Sequence, residues 1–226
     1  MTKGYLIGID EAGRGPLAGP ISVGVFSVKD KKVLAKFKGV KDSKQLSEKQ
    51  REEWFEKIKK EICRSTSGLS NKKGAGDISY AVSFSSAGVI DSKGLTRATK
   101  MAMNRCLKRL EKKGFAPIDG SDGRSDDGKH VCKILLDGSL YAPSRYKDQK
   151  TIIGGDAKEP IIALASICAK VLRDRKMKRL AKEFPGYGFE IHKGYGTKAH
   201  YKAIKKHGMS PVHRRSFLKN LNSKKS

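Results

Sequence analysis

Tyr5-Leu6-Ile7-Gly8-Ile9 is a short apolar run that stops at Asp10-Glu11, and Ile21 to Val28 is a second, reached through a Gly/Pro-rich connection. Apolar runs of this length, bounded by turn residues, predict buried strands. The period then changes. Ser47 and Gln50 make a capping-box pair, and Trp54, Phe55, Ile58 and Ile62 follow at helical spacing. Ile78, Tyr80, Val82 and Phe84 alternate with Ser79, Ala81, Ser83 and Ser85, which predicts a half-buried strand. Leu95, Ala98, Ala102, Cys106 and Leu110 mark an amphipathic helix running to about Lys112.

Two more strands are predicted at Val131 to Leu136, ending in Asp137-Gly138, and at Thr151 to Ile153, ending in Gly154-Gly155-Asp156. Pro160 opens a long helix to about Lys182, and Thr197 caps a last helix that stops at Gly208. Gly68 to Gly76 reads as a loop. Asp119 to Lys129, almost all Gly, Ser, Asp and Arg, reads as a surface insertion, because core-type segments resume after it. Strands alternating with helices predict an α/β sheet covered by helices.

Composition sharpens this picture. At 226 residues one domain is the default. The expected division is a main part over 1–190 and a basic, partly helical C-terminal extension over 191–226 that can pack with it. The 24 glycines follow no triplet period and no heptad run persists, which excludes collagen and coiled coil. Cys63, Cys106, Cys132 and Cys168 form no CxxC pair, so reduced thiols in a cytoplasmic protein are expected. The N-terminus lacks the form of a signal peptide, and no apolar stretch is long enough for a membrane span.

With 49 Lys+Arg against 23 Asp+Glu the net charge is +26. Such an excess points to a polyanionic partner, although a solvated lysine-rich surface would show the same balance. Between Ile191 and Ser226 there are ten Lys or Arg and no acid.

Against that background the acids stand out. Three predicted strands end in Asp10-Glu11, Asp137 and Asp156. Functional side chains gather at strand ends in α/β sheets, and carboxylate oxygens are what hard divalent cations such as Mg²⁺ or Mn²⁺ take. Asp137 before Gly138 is by itself equally a turn former. Asp10 and Glu11, being adjacent, would face opposite sides of a regular strand, so serving one site requires the strand to end or bulge there. Beyond them, Gly13-Arg14-Gly15 lets backbone approach a ligand closely and offers a guanidinium for phosphate.

These motifs resemble the type 2 ribonuclease H family, ribonuclease HII. The resemblance is carried by Gly8-Ile9-Asp10-Glu11-Ala12-Gly13-Arg14-Gly15-Pro16-Leu17-Ala18-Gly19-Pro20, Asp42-Ser43-Lys44-Gln45-Leu46-Ser47 and Leu136-Asp137-Gly138. It continues through Ala165 to Asp174, Tyr187-Gly188-Phe189, His192 to Thr197 and His213-Arg214-Arg215-Ser216-Phe217, in family order over nearly the whole chain.

The resemblance implies a ribonuclease H-like mixed sheet flanked by helices, with a small helical C-terminal extension. It implies a carboxylate tetrad at Asp10, Glu11, Asp137 and Asp156 that binds two divalent cations, Mn²⁺ or Mg²⁺. Its junction-reading motif matches Gly13, Arg14 and Gly15, and its substrate tyrosine matches Tyr195. The implied activity is hydrolysis of the RNA strand of RNA–DNA hybrids, with incision 5′ of ribonucleotides embedded in duplex DNA. A cytoplasmic monomer is expected, and whether a replication clamp or other repair partner binds the basic tail stays open at the level of sequence.

Several residues remain open between roles. Gly154 stands where the family usually has lysine, and Asp174, mid-helix beside Arg173 and Arg175, is a rival fourth acid or an ordinary ion-pair residue. Lys44 fits a phosphate contact or a solvated surface, Tyr195 fits an edge aromatic, and Ser166 fits helix packing. His192, His200, His207 and His213 match no standard zinc spacing and read as phosphate-facing or structural. Two other classes remain: a non-catalytic nucleic-acid-binding protein, and the type 3 ribonuclease H, which lacks the Gly-Arg-Gly pattern.

Overall fold

The computed structural model describes residues 5–67, 77–115, 132–138 and 140–219. The predicted loop 68–76 and the predicted insertion 119–129 lie outside the described residues. Five strands form one mixed sheet: β1 (Tyr5–Ala12), β2 (Ile21–Val28), β3 (Ile78–Ser85), β4 (Cys132–Asp137) and β5 (Gln149–Ile152), in the order β3-β2-β1-β4-β5. β1, β2 and β3 form an antiparallel meander, whereas β4 pairs parallel with both β1 and β5. The helices are α1 (Glu48–Ser67), α2 (Ala87–Lys93), α3 (Leu95–Lys112), α4 (Gly155–Lys158), α5 (Pro160–Glu183), α6 (Phe189–His192) and α7 (Lys198–His207).

Side-chain alternation sorts the core into two layers. Ile7, Ile9, Val23, Val25, Ile134 and Leu136 meet α3 through Met103, Cys106, Leu107 and Leu110. On the other face, Leu6, Phe26, Val28 and Leu135 meet α5 through Ile161, Leu164, Ala165 and Cys168, with Phe55 and Ile58 of α1. The predicted mixed sheet flanked by helices is the one observed.

Two glycines set how closely α5 lies on the sheet. A Cβ on Gly8 would come within 2.3 Å of the Ile161 carbonyl oxygen, and one on Gly24 equally close to that of Ala165. Both obstacles are helix backbone, which cannot rotate away. Gly24→Ala is therefore expected to destabilise the fold by about 3 kcal/mol, as overpacked cores do, measured by denaturant unfolding. Close seating matters because α5 carries Ser166, which bonds Ser43, and Arg173, which reaches the loop beyond β1.

Several boundaries follow the sequence pattern. Ser47 and Gln50 exchange the two reciprocal capping bonds, Pro160 begins α5, and Gly208 ends α7 at φ +76°. Others differ. β5 lies two residues earlier than the Thr151 start predicted, because Gln149 and Lys150 already pair with Ile134 and Leu135. β1 does not end or bulge at the acids: its ladder with β2 continues through Ala12 opposite Ser22. Its pairing with β4 stops at Ile9 opposite Leu136, so Asp10 stands where the cleft between those strands opens.

The C-terminal segment joins a third core. Leu17 and Ala18 from the loop after β1 pack with Met177 and Leu180 of α5, and with Tyr187, Phe189, Ile204 and Leu218. No described helix is long and apolar enough to cross a membrane.

Candidate active site

The carboxyl ends of the neighbouring parallel strands β1, β4 and β5 bring Asp10, Asp137 and Asp156 together. One oxygen from each lies within 4.8 Å of the others, and Asp10 and Asp156 are buried. Asp10 accepts from the backbone N–H of Glu11 at 2.7 Å, and the nearby Ser166, whose hydroxyl bonds Ser43 at 2.7 Å, favours its ionised form. Asp137 is fixed through Oδ1, which accepts the Gly155 amide at 2.7 Å. A Cβ on Gly155 would fall 2.6 Å from the tip of the Ile162 side chain, which would have to shift.

Burial, then the charges of Glu11 and Asp137, push the Asp10 carboxyl well above its ordinary range. Carboxylates at this spacing repel one another, and one neighbouring lysine on Asp156 offsets only part of three charges. Divalent cations would supply it, and the donor set, all oxygen, suits hard ions.

Glu11 stands beside this trio. Its Oε1 meets Arg14 Nη1 at 3.3 Å, and the charges of Asp137 and Lys44 reach it. Burial raises its carboxyl, Arg14 opposes that, and the charge of Asp137 adds to it. Its Oε2 is buried with no hydrogen-bond partner, an orphaned anionic oxygen of the kind a cation satisfies.

Lys44 settles on Asp156: Nζ lies 2.8 Å from Oδ2, and this contact raises the lysine above its usual range. A cation therefore stands beside Asp156 although Gly154 carries none. Asp42, two residues earlier, has its carboxyl raised by burial and by the nearness of Asp156. The segment Asp42-Ser43-Lys44 thus touches Asp156 directly and Asp10 through Ser166. Asp174 is elsewhere, eight residues or about 12 Å further along α5 than Ser166, paired with Lys170 at 2.8 Å and Arg51 at 3.7 Å. It forms an ion pair, but not with Arg175, which binds Glu52 and Glu56.

Gly13, Arg14 and Gly15 form the loop beyond β1, and two buried arginines shape it. Arg214 donates to the carbonyls of Gly13 (2.6 Å), Arg14 (2.8 Å) and Gly19 (3.0 Å). Arg173 donates to those of Pro20 and Lys193. Gly13 has φ +93°, and a Cβ there would strike Arg173 Nε at 2.1 Å. Among the described residues no hydrogen bond takes up the amides of Gly13, Arg14 or Gly15. Tyr195, 44% exposed, stands next to this loop: a Cβ on Gly15 would lie 3.9 Å from its ring.

Sequence reasoning left out Arg173, Arg214 and Asp42, and left Ser166 as a packing residue. The signal for the arginines was available only in part: a buried arginine is rare unless paired, but burial is not visible in a basic sequence.

Of the histidines, His200 and His213 are fully interior. Nε2 of one lies 3.1 Å from Nε2 of the other, and burial keeps both away from phosphate. Burial holds His200 below the usual imidazole range, and burial with His200 alongside pushes His213 down to about 4. Such groups bind protons more readily when unfolded. Their contribution is complete above about pH 6.5 and is lost as the pH falls toward about 4. Wild type should therefore lose stability between pH 6.5 and 4.5 more steeply than His213→Gln, by up to about 1.4 kcal/mol per pH unit, in thermal or urea unfolding.

Comparison with known proteins agrees with this geometry. The Ribonuclease HII family model matches residues 7–76 and 123–220. A Ribonuclease HII of Clostridioides difficile (strain 630) is 43% identical over 223 residues, 97% of this chain and 72% of that protein. One from Endomicrobium trichonymphae is 40% identical over 96% of this chain and 87% of its own length. Among solved structures, ribonuclease H2 from Pyrococcus horikoshii OT3 aligns over 97% of both chains with a TM-score of 0.64 at 24% identity. An RNase HII of Archaeoglobus fulgidus, solved in complex with PCNA, aligns over 93% of each chain at 0.63 and 24%. Bst-RNase HIII in complex with Mn²⁺ aligns over 96% of this chain and 65% of its own at 0.52 and 21%. At these identities the three structures show the fold.

Sheet, carboxylates and relatives together define a metal-dependent ribonuclease of the ribonuclease H type. Within that class, the chain belongs to the ribonuclease HII family, nucleases that cleave the RNA of RNA–DNA hybrids.

Proposed function

We propose that the protein hydrolyses the phosphodiester on the 5′ side of a ribonucleotide, in RNA–DNA hybrids and at single ribonucleotides embedded in duplex DNA. The observation that carries this reading is the convergence of Asp10, Asp137 and Asp156 beside a loop whose backbone is open to a ligand. Asp10, Glu11, Asp137 and Asp156 would hold two Mg²⁺ or Mn²⁺ ions. Bound there, the ions supply positive charge for the entering and departing oxygens of an in-line displacement.

The chain's own residues do the rest. Ser166 and the Gly155 amide orient Asp10 and Asp137, so the oxygens meet a ligand with little rearrangement. Arg14 and Lys44 place cations at the rim, where the scissile phosphate would lie. The 2′-hydroxyl distinguishes RNA from DNA; the amides of Gly13 to Gly15 offer donors to that sugar, and Tyr195 holds its far side. The basic segment after Ile191 would follow the duplex backbone.

Three labelled duplexes test the reading: all-DNA, DNA with one ribonucleotide, and an RNA–DNA hybrid, each with and without Mn²⁺ or Mg²⁺. The expected result is metal-dependent cutting of the last two, leaving 5′-phosphate and 3′-hydroxyl ends. Cutting of the hybrid alone would instead indicate a type 3 specificity.

A further inference from the structure

We infer that His213 and His200 form a neutral two-imidazole strut that positions Tyr195 against the Gly13–Gly15 loop, a role that rests on the reading of Tyr195 as the residue holding the ribose. The strut starts at Ser210, whose backbone N–H donates to His213 Nδ1 at 2.9 Å. An accepting Nδ1 puts the His213 proton on Nε2, which faces His200 Nε2 at 3.1 Å. That nitrogen must then accept, so the His200 proton resides on Nδ1 and is donated to the Tyr195 carbonyl at 2.9 Å. One backbone amide thereby dictates both tautomers.

The strut finishes a rigid mount. Lys193 and Gly194 turn the chain at positive φ, +51° and +85°. The Lys193 carbonyl accepts from Arg173 at 3.1 Å, and the Gly194 carbonyl accepts from the Leu17 amide at 2.8 Å. The Tyr195 carbonyl accepts from the Thr197 amide as well as from His200. His192 stacks on His200 with ring centroids 4.4 Å apart and receives the Gly194 amide. Three successive carbonyls are held while the Tyr195 ring stays exposed. A fixed backbone under an open side chain is what a reader of one sugar needs, since an error of about 1 Å can cost 10²-fold in rate. Without His200 the ring keeps its chemistry and loses its aim. His200 and His213 are thus positioning residues, acting through Tyr195.

The test is steady-state cleavage of DNA carrying a single ribonucleotide. His200→Ala should lower kcat about 10- to 100-fold with KM changed less than about threefold. His200→Asn, whose amide can take the Nδ1 place, should recover most of that loss. His200→Gln reaches only the Nε2 place and should not. In a double-mutant cycle, His200→Ala combined with Tyr195→Ala should be no worse than Tyr195→Ala alone. Multiplied losses in the double variant, or equal rescue by Gln and Asn, would overturn the strut while leaving Tyr195 as reader. A silent Tyr195→Ala would instead remove the reading itself, and the strut with it. If the His200 variants do not fold, nitrogen-15 NMR of the wild type decides: Nδ1–H at His200 and Nε2–H at His213 are expected, and the opposite tautomers refute the proposal.

Discussion

Asp137→Asn is expected to lower turnover by at least about 10²- to 10³-fold while leaving low-salt affinity for an RNA–DNA hybrid within about threefold of wild type. The substitution keeps shape and removes one charge. Because Oδ1 already accepts the Gly155 amide, the asparagine carbonyl stays on that amide and its NH₂ group turns toward Asp10 and Asp156. Two donors then occupy the position where a cation needs an acceptor. Affinity survives because it comes from lysines and arginines spread over the surface, not from the acids. The fold survives too, since removing one charge relieves the repulsion that raises Asp10. Metal-free thermal unfolding at or above the wild-type midpoint would confirm that the loss is chemical. Wild-type-like cleavage would remove Asp137 from the ligand set.

Tyr195→Ala should lower cleavage at a single embedded ribonucleotide by about 10²-fold, against a much smaller change in duplex binding, and all-DNA duplex should stay uncut by wild type and variant alike. In the proposed function the loop and the ring meet the same sugar from two sides. Arg214 occupies the carbonyls of Gly13 and Arg14, so the amides of that loop are the groups left to recognise a 2′-hydroxyl. A site built around one hydroxyl rejects the analogue lacking it by stranding its own polar groups, up to about 10⁴-fold. Parallel single-turnover and equilibrium-binding measurements on matched duplexes separate the two effects. Equal cutting with and without the ribonucleotide would refute the assignment even with metal-dependent nuclease activity present.

The strands and the long helices were legible because each buries a continuous face: β2 is buried at every position, and α3 keeps its stripe from Ala98 to Leu110. Asp10, Asp137 and Asp156 were legible because strand ends converge in a parallel arrangement. Glu11 was not fully so. The β1–β2 ladder runs past the acids, and register is a property of two strands together. α2 and the short helical turn Lys31–Phe37, 7 residues each, are too short to show a period. Ser43, Ser166, Arg173 and Arg214 act across 20 to 201 residues of sequence, and nothing local marks such pairs.

The bond from Arg214 to the Gly13 carbonyl has a consequence for the order of manufacture. A ribosome adds about 5–20 residues per second, so the loop proposed to meet the sugar emerges early and waits about ten seconds or more for the guanidinium that shapes it. During that interval β1 to β3 and α3 can already pack, and the acidic strand ends can assemble once β5 and α5 follow. The nascent chain would then carry its carboxylates before it can select a sugar, and a ribosome stalled before Arg214 would leave a nuclease core with an unshaped reader. On the proposed function, discrimination between ribose and deoxyribose is, by this wiring, the last property the polypeptide acquires.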